Sequence, residues 1–251
     1  MAIEENLHGH VALVHRHTAG MTVWDRADLL LADSGLAADY FNRICRARMR
    51  PDAADGAIEQ ALGYFRTARR PFAWWVGPCS RPIDLEKRLT DNGLRAAEYE
   101  LGMSMALKDL PREVPWPDNL TVRRVETTPD LEDAISVFRG DPAIGAFYRH
   151  AAPLLLHAGC PMRLFVGYLE GEPAATSELY LGGGIAGVYS VGTRERFRGK
   201  GIASVMTWTV ASEARREGVT TAVLQASESG QGVYFRLGFR ACCQFREYAP
   251  A

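Results

Sequence analysis

The sequence lacks an excess of charge of either sign. Its 251 residues carry 29 Lys and Arg against 30 Asp and Glu, a formal net charge of −1. A balanced charge gives no electrostatic reason to expect nucleic acid or an anionic membrane as a partner. We therefore predict neither partner, and the hydrophobic share of 47% is typical of a globular protein.

Long apolar runs and paired cysteines are lacking as well. No window approaches the ~18 uninterrupted apolar residues of a transmembrane helix, and the first residues lack the basic region and apolar stretch of a secretory signal. The five cysteines form no C-x-x-C pair, and an odd number without a framework indicates a reducing compartment. We therefore expect a cytoplasmic protein.

Histidine is scarce, and four of the six histidines lie between residues 7 and 17: His8, His10, His15 and His17. Pairs two residues apart would share one face of a strand, which is a metal-binding arrangement. No acidic or cysteine ligand is placed with them. We therefore interpret the segment as a solvated helix or terminal strand and predict no metal.

The first half alternates short strands and helices. Apolar runs between turn residues predict strands at 20–25, 29–31, 42–47, 71–77 and 98–107, and helical spacing predicts helices at 53–69 and 81–89. Residues 89–96 can be laid on residues 234–241 with a constant offset, and the Gly, Arg and Ala are identical in both copies. The first half therefore reads as an eroded copy of the second.

A proline-rich segment separates the halves at residues 111–117. We predict one domain at 1–110 and another at 118–251. The second begins with a strand at 120–125, a helix opening at Thr128 and a second helix ending near Gly159. A three-stranded meander at 163–169, 172–181 and 185–193 follows, and then helix, strand, helix and strand.

The clearest feature is a strand, a glycine turn and a helix between Tyr189 and Gly218. The first turn of a helix presents unpaired N–H groups and partial positive charge. Gly199 and Gly201 remove side chains that would keep a pyrophosphate from these donors, and Arg198 and Lys200 add charge. The segment therefore predicts a phosphate site.

Spacing decides which phosphate motif this is. A Walker A loop needs Ser or Thr after its Lys, whereas Lys200 is followed by Gly201. A dinucleotide fingerprint needs a third glycine, whereas Ile202, Ala203 and Ser204 follow. What remains is Arg-x-x-Gly-x-Ala over residues 198–203, and Tyr-x-x-x-Gly-Phe follows at 234–239. Together these motifs resemble those of the GCN5-related N-acetyltransferases, the GNAT family.

This resemblance implies an α/β fold of the α+β kind. It would have a central, mixed, mostly antiparallel twisted sheet flanked by helices, in a tandem arrangement with a degenerate N-terminal GNAT-like domain. The family's usual last strand is missing or very short, so we expect the first domain to cover the sheet edge that this leaves. One acetyl-CoA site is expected, in the second half, because nothing in residues 1–110 resembles residues 198–203.

The resemblance also implies a role for each site residue, with acetyl-CoA as co-substrate. Backbone groups of Val191, Gly192 and Thr193 would bind the pantetheine arm, and an amide near Val191 would stabilise an oxyanion. The pyrophosphate would bind Arg198, Gly199, Lys200, Gly201, Ile202, Ala203 and Ser204. Tyr234 matches the family's general acid and would also contact the cofactor. The alternative is that Tyr234 only packs its helix against the sheet. Ser227 stands where the family often has Asn, and its shorter side chain puts a direct contact in question.

The motifs do not identify a residue that would act as the general base. Glu178, on the strand before Val191, is the acidic group that would point into the acceptor cleft, with a solvated surface Glu as the alternative. His150, Tyr148 and a water chain are further candidates.

The predicted function is therefore acetyl-CoA-dependent acetylation of the amine of a small molecule or peptide. The alternative is a non-catalytic acyl-CoA-binding regulatory protein. A homodimer formed by the first half is left open.

Overall fold

The computed structural model describes residues 1–138 and 141–251. Its first half contains α1 (Ala2–His17), β1 (Thr22–Asp25), β2 (Leu30–Asp33), β3 (Arg43–Cys45), α2 (Ala54–Ala68), β4 (Ala73–Val76), α3 (Leu85–Asp91) and β5 (Leu94–Ala106). Its second half contains β6 (Leu120–Arg124), α4 (Thr128–Val137), α5 (Pro142–Leu155), β7 (Met162–Leu169), β8 (Glu172–Gly182), β9 (Ile185–Thr193), α6 (Ile202–Arg216), β10 (Thr221–Ala226), α7 (Gln231–Leu237) and β11 (Arg240–Pro250).

All of these strands join one mixed sheet in the order β1-β2-β3-β4-β11-β5-β10-β9-β8-β7-β6. The predicted element order of the second half is confirmed, including the meander β7-β8-β9 with its antiparallel pairing. Helix α6 lies across this sheet with Val205, Met206 and Val210 fully buried. The glycine turn that we predict to bind phosphate is thereby fixed to the sheet by a packed helix.

The two halves interlock through their last strands. Strand β5 of the first half pairs antiparallel with β10 of the second, and β11 pairs with both β4 and β5. The expectation that the first half covers an exposed edge of the second is thus confirmed for β10. Because each half supplies a strand to the other, the two predicted domains share one continuous sheet, and residues 111–117 lie in the connection from β5 to β6.

The short sequence repeat has a structural counterpart. Helix α3 leads to β5 through Gly93, and α7 leads to β11 through Gly238. Both glycines adopt positive φ, +83° and +100°, the left-handed conformation that commonly ends a helix. The repeated glycine therefore does the same work in both halves, turning the chain from a helix into a central strand.

The interpretation of residues 7–17 as a solvated segment is wrong. They lie in α1, which packs against β8 and β9, and His8 and His15 are each only 6% exposed. The ring nitrogens of His15 lie 2.7 Å from the Val11 carbonyl oxygen and 2.8 Å from that of Phe41. Because these contacts replace hydrogen bonds to water, His15 can be buried although a histidine-rich segment suggests exposure to solvent.

Burial lowers the pKa of His8 to about 4, against the opposing effect of the Glu4 and Glu5 carboxylates. The unfolded chain binds a proton on this group near pH 6.5, so the free energy of unfolding should fall as pH drops from 6.5 towards 4. His8→Leu removes this contribution. Urea denaturation at pH 7 and pH 5 should show wild type losing roughly 2 kcal/mol more than the variant. A pH-independent difference would show that His8 does not titrate in this way.

None of the helices in the described part of the chain has the length and apolar character needed to cross a membrane.

Candidate active site

The predicted phosphate turn forms the start of α6. Gly201 is the residue before the helix, with φ +79°, and Gly199 has φ +77°. A Cβ at either glycine would meet no atom within 4 Å, so the space beside the turn is open. The positive φ is therefore the reason that these positions favour glycine. The amides of Ile202 and Ala203 begin the helix, where no intrahelical acceptor exists. The turn thus has the form of an anion cradle.

The cationic side chains lie exposed at this turn. The Arg198 guanidinium donates to the Thr193 carbonyl at 3.2 Å, and the Lys200 ammonium lies 5.8 Å from the centre of the Phe197 ring. The Arg198 contact ties the turn to the end of β9. The backbone of β9 and the cradle therefore form one continuous path.

Strands β9 and β10 separate beside this path. Within the part of the chain that the structure describes, they pair at two positions, Ala186 with Ala222 and Gly187 with Val223. Beyond these pairs a pocket of about 260 Å³ opens, with Val191 on one side and Gln225 and Ser227 on the other. Gly192 and Thr193 continue β9 from this pocket towards the cradle. The two strands are therefore splayed at this point.

A bulge in β9 marks the point of separation. The β8–β9 register shifts between Thr176 and Glu178, and Ser190 adopts φ +51°. Positive φ is strained for a residue with a Cβ and is concentrated at functional positions. Because a bulge bends its strand and increases the local twist, it accounts for the divergence of β9 from β10.

Tyr234 lies in the same pocket as Val191 and Ser227. Its side chain is 9% exposed, and burial, with the nearby Glu100 carboxylate, raises its pKa to about 12. The phenol consequently remains protonated at neutral pH. It has the protonation state that a proton donor requires.

Glu178 is buried rather than solvated. It is 2% exposed, and its carboxylate contacts Nε2 of His10 from α1. Burial, with the carboxylate of Glu178, raises the pKa of the neighbouring Tyr148. The Tyr148 hydroxyl lies 3.5 Å from Oγ of Ser190 at the bulge. The sheet thus brings Glu178 and Tyr148 together beside β9, whereas His150 is exposed on α5.

Sequence reasoning missed the contribution of the first half. The ring of Tyr189 stacks on His10 with centres 3.8 Å apart, and its hydroxyl donates to Asn6 at 2.8 Å. Asn6 in turn donates to the Gly182 carbonyl at 2.8 Å. Helix α1 is therefore fastened to β8 and β9 at the place where His10 meets Glu178.

The first half also supplies a carboxylate, Glu100, that faces the pocket. Glu100 on β5 lines it together with Arg43 and Tyr234. Burial raises the pKa of Glu100 to about 7, with Glu247 and Glu98 adding to the rise and Arg43 opposing it. Its charge explains part of the raised pKa of Tyr234.

A separate apolar cavity of about 190 Å³ adjoins the pocket and shares His10, Arg43 and Ser190 with it. Glu178 and Tyr148 line the cavity. The two spaces therefore meet at the three residues that they share. Across the described ranges 1–138 and 141–251, no group of three or more His, Cys, Asp and Glu side chains is arranged to hold a metal.

Comparison with known proteins relates the second half of the chain to a known domain family. Residues 122–229 match the family model described as an acetyltransferase (GNAT) domain. None of the curated proteins gives a significant match.

Solved structures are similar over nearly the whole chain. A GCN5-related N-acetyltransferase from Kribbella flavida superposes with a TM-score of 0.75 at 16% identity, covering 100% of this chain and 96% of the other. A GCN5-related N-acetyltransferase from Sphaerobacter thermophilus gives 0.65 at 16% identity, covering 88% and 76%. A tandem GNAT protein from the clavulanic acid biosynthesis pathway gives 0.63 at 14% identity, covering 88% and 77%. Residues 122–229 thus match the GNAT acetyltransferase domain, and the chain shares its fold with GCN5-related N-acetyltransferases, including a tandem GNAT protein.

Proposed function

We propose that this chain transfers an acetyl group from acetyl-CoA to a primary amine at one site, where β9 and β10 separate. The observation that carries the proposal is the continuity of this opening. The opening holds Val191, Ser227 and Tyr234 and shares His10, Arg43 and Ser190 with the cavity beside Glu178, and β9 runs on from it to Thr193, shortly before the glycine turn.

The cofactor would lie along the path from the pocket to the cradle. Backbone groups of Val191, Gly192 and Thr193 would pair with the pantetheine arm as an added strand does. The amides from Gly199 to Ser204, with Arg198 and Lys200, would hold the pyrophosphate. Ser227 lines the pocket, where it would face the arm.

Glu178 would accept a proton from the acceptor ammonium, directly or through His10, which its carboxylate contacts. The free amine then forms a C–N bond with the thioester carbonyl carbon, and the amide of Val191 stabilises the oxyanion. The C–S bond breaks as Tyr234 donates its proton to the sulfur. The nitrogen loses its second proton as the intermediate collapses, and this proton restores the Tyr234 phenol. Of the two protons that leave the ammonium, one thus replaces the proton that Tyr234 gives to CoA, and the other passes from Glu178 to solvent.

Glu178→Gln should lower turnover most at mildly acidic to neutral pH and recover in part at high pH. At high pH the amine is already deprotonated, so the base is needed less. A pH–rate profile of wild type and variant with one acceptor measures this. An equal loss at every pH would assign Glu178 to acceptor binding, and no loss would exclude both roles.

Acetyl-CoA should bind one site per chain, because the glycine turn and Tyr234 occur together only in the second half. Titration calorimetry measures the stoichiometry directly. Two equivalent sites would show that the first half also binds the cofactor.

A further inference from the structure

The cavity beside Glu178 is built by both halves of the chain. Val14, from α1, and Phe41, which follows β2, line it together with Ile144 and Phe147 from α5. A ligand in this space would therefore contact residues outside the matched family segment at 122–229.

The walls of the cavity are apolar and aromatic. Phe41 stacks on Phe147 with ring centres 3.8 Å apart and an interplanar angle of 5°. Tyr40 and His15 are already engaged on these walls, since the Tyr40 hydroxyl donates to the Asp141 carboxylate and both ring nitrogens of His15 face backbone carbonyls. The walls thus favour an apolar ligand body, because a polar one would lose its hydrogen bonds to water.

The ionisable groups of the cavity include His10 and Arg43, which also line the pocket, and Glu178, which contacts His10. Among the described residues that line the cavity, Glu178 is the one with a carboxylate. A buried carboxylate is costly unless it is paired, and a ligand ammonium would add a second partner beside His10. A second ammonium on the same ligand would meet the apolar walls and find no carboxylate there. The charge pattern thus suits a monoamine better than a polyamine.

The size of the cavity limits the ligand further. A cavity of about 150 Å³ lined by apolar side chains is large enough to bind benzene, and this one measures about 190 Å³. One ring or a branched alkyl group therefore fills it, together with a short arm that reaches Glu178.

We propose that the acceptor is a small primary monoamine with an apolar, ring-sized body, bound in this cavity with its nitrogen at Glu178 and His10. The inference rests on the proposed function, since it names the acceptor class for the same site.

The direct test is calorimetric binding of two amines to the wild-type chain saturated with CoA. 2-Phenylethylamine carries one ammonium and a ring, and 1,4-diaminobutane carries two ammonium groups and no ring. Burial of the ring should make 2-phenylethylamine bind roughly tenfold to hundredfold more tightly. Equal or weaker binding would overturn the inference. This readout does not depend on turnover, and failure of CoA itself to bind would instead count against the proposed function.

A variant locates the binding in the cavity. Ile144→Trp fills the space from a half-buried position on α5, and should weaken 2-phenylethylamine binding at least roughly tenfold. Ala146→Trp adds the same side chain on an exposed position of the same helix and should leave amine binding within a few-fold of wild type. Acetyl-CoA affinity checks that both variants fold. Equal amine binding by Ile144→Trp and wild type would show that the amine binds elsewhere; if Ile144→Trp does not fold, the two-amine comparison in wild type decides.

Discussion

Tyr234→Phe should lower turnover roughly ten- to ten-thousand-fold, the upper part being the range for loss of a general acid, while acetyl-CoA affinity stays within a few-fold of wild type. The variant keeps the ring that packs edge-on against Phe239 and removes only the hydroxyl. Burial keeps the phenol protonated, with a pKa of about 12, so wild type retains its donor at every pH in ordinary use. Steady-state rates with one amine, together with calorimetric binding of acetyl-CoA, give both numbers.

Tyr99→Phe is a matched control, because Tyr99 is 58% exposed and lies outside the residues that line the pocket. Its turnover should equal that of wild type. If Tyr234→Phe also turned over at the wild-type rate, Tyr234 would be a packing residue and the proton would reach sulfur by another route.

Gly201→Asp should abolish acetyl-CoA binding at concentrations that saturate wild type. The substitution places a carboxylate at the first amides of α6, where phosphate charge would otherwise be stabilised. It also forces a side chain onto a residue with φ +79°, which favours glycine. Calorimetric titration with acetyl-CoA measures the loss.

Gly218→Asp separates the two effects. Gly218 has φ +80°, and a Cβ there, as at Gly201, would meet no atom within 4 Å. It lies, however, just past the C-terminal end of α6. It should therefore suffer a similar backbone strain and still bind acetyl-CoA. Binding by Gly201→Asp equal to that of a folded Gly218→Asp would mean that the turn does not hold the phosphates.

The parts of the site that the sequence predicts are local in the chain. The turn around Gly199 and Gly201, the meander and the Tyr234 helix each depend on residues within about one turn or hairpin, where spacing fixes backbone conformation. The family resemblance also led us to expect that the first half covers a sheet edge of the second. The structure supplies β5 for this purpose.

The acceptor side could not be predicted in the same way. His10 and Glu178 are 168 residues apart, and each alone has a common structural explanation. The histidine segment was misinterpreted because α1 buries it against β8 and β9 of the other half, a contact that helical spacing does not reveal. The bulge at Ser190 likewise depends on the register between β8 and β9, which is a property of the assembled sheet.

Acetyl transfer itself is the most direct test of the account. The wild-type chain would be incubated with acetyl-CoA and a set of primary amines, with free CoA thiol and acetylated amine quantified in the same samples. We predict amine-dependent CoA release matched by an equal amount of acetylated amine. Tight binding of acetyl-CoA without consumption of any amine would contradict the account and identify an acyl-CoA-binding protein that does not catalyse transfer.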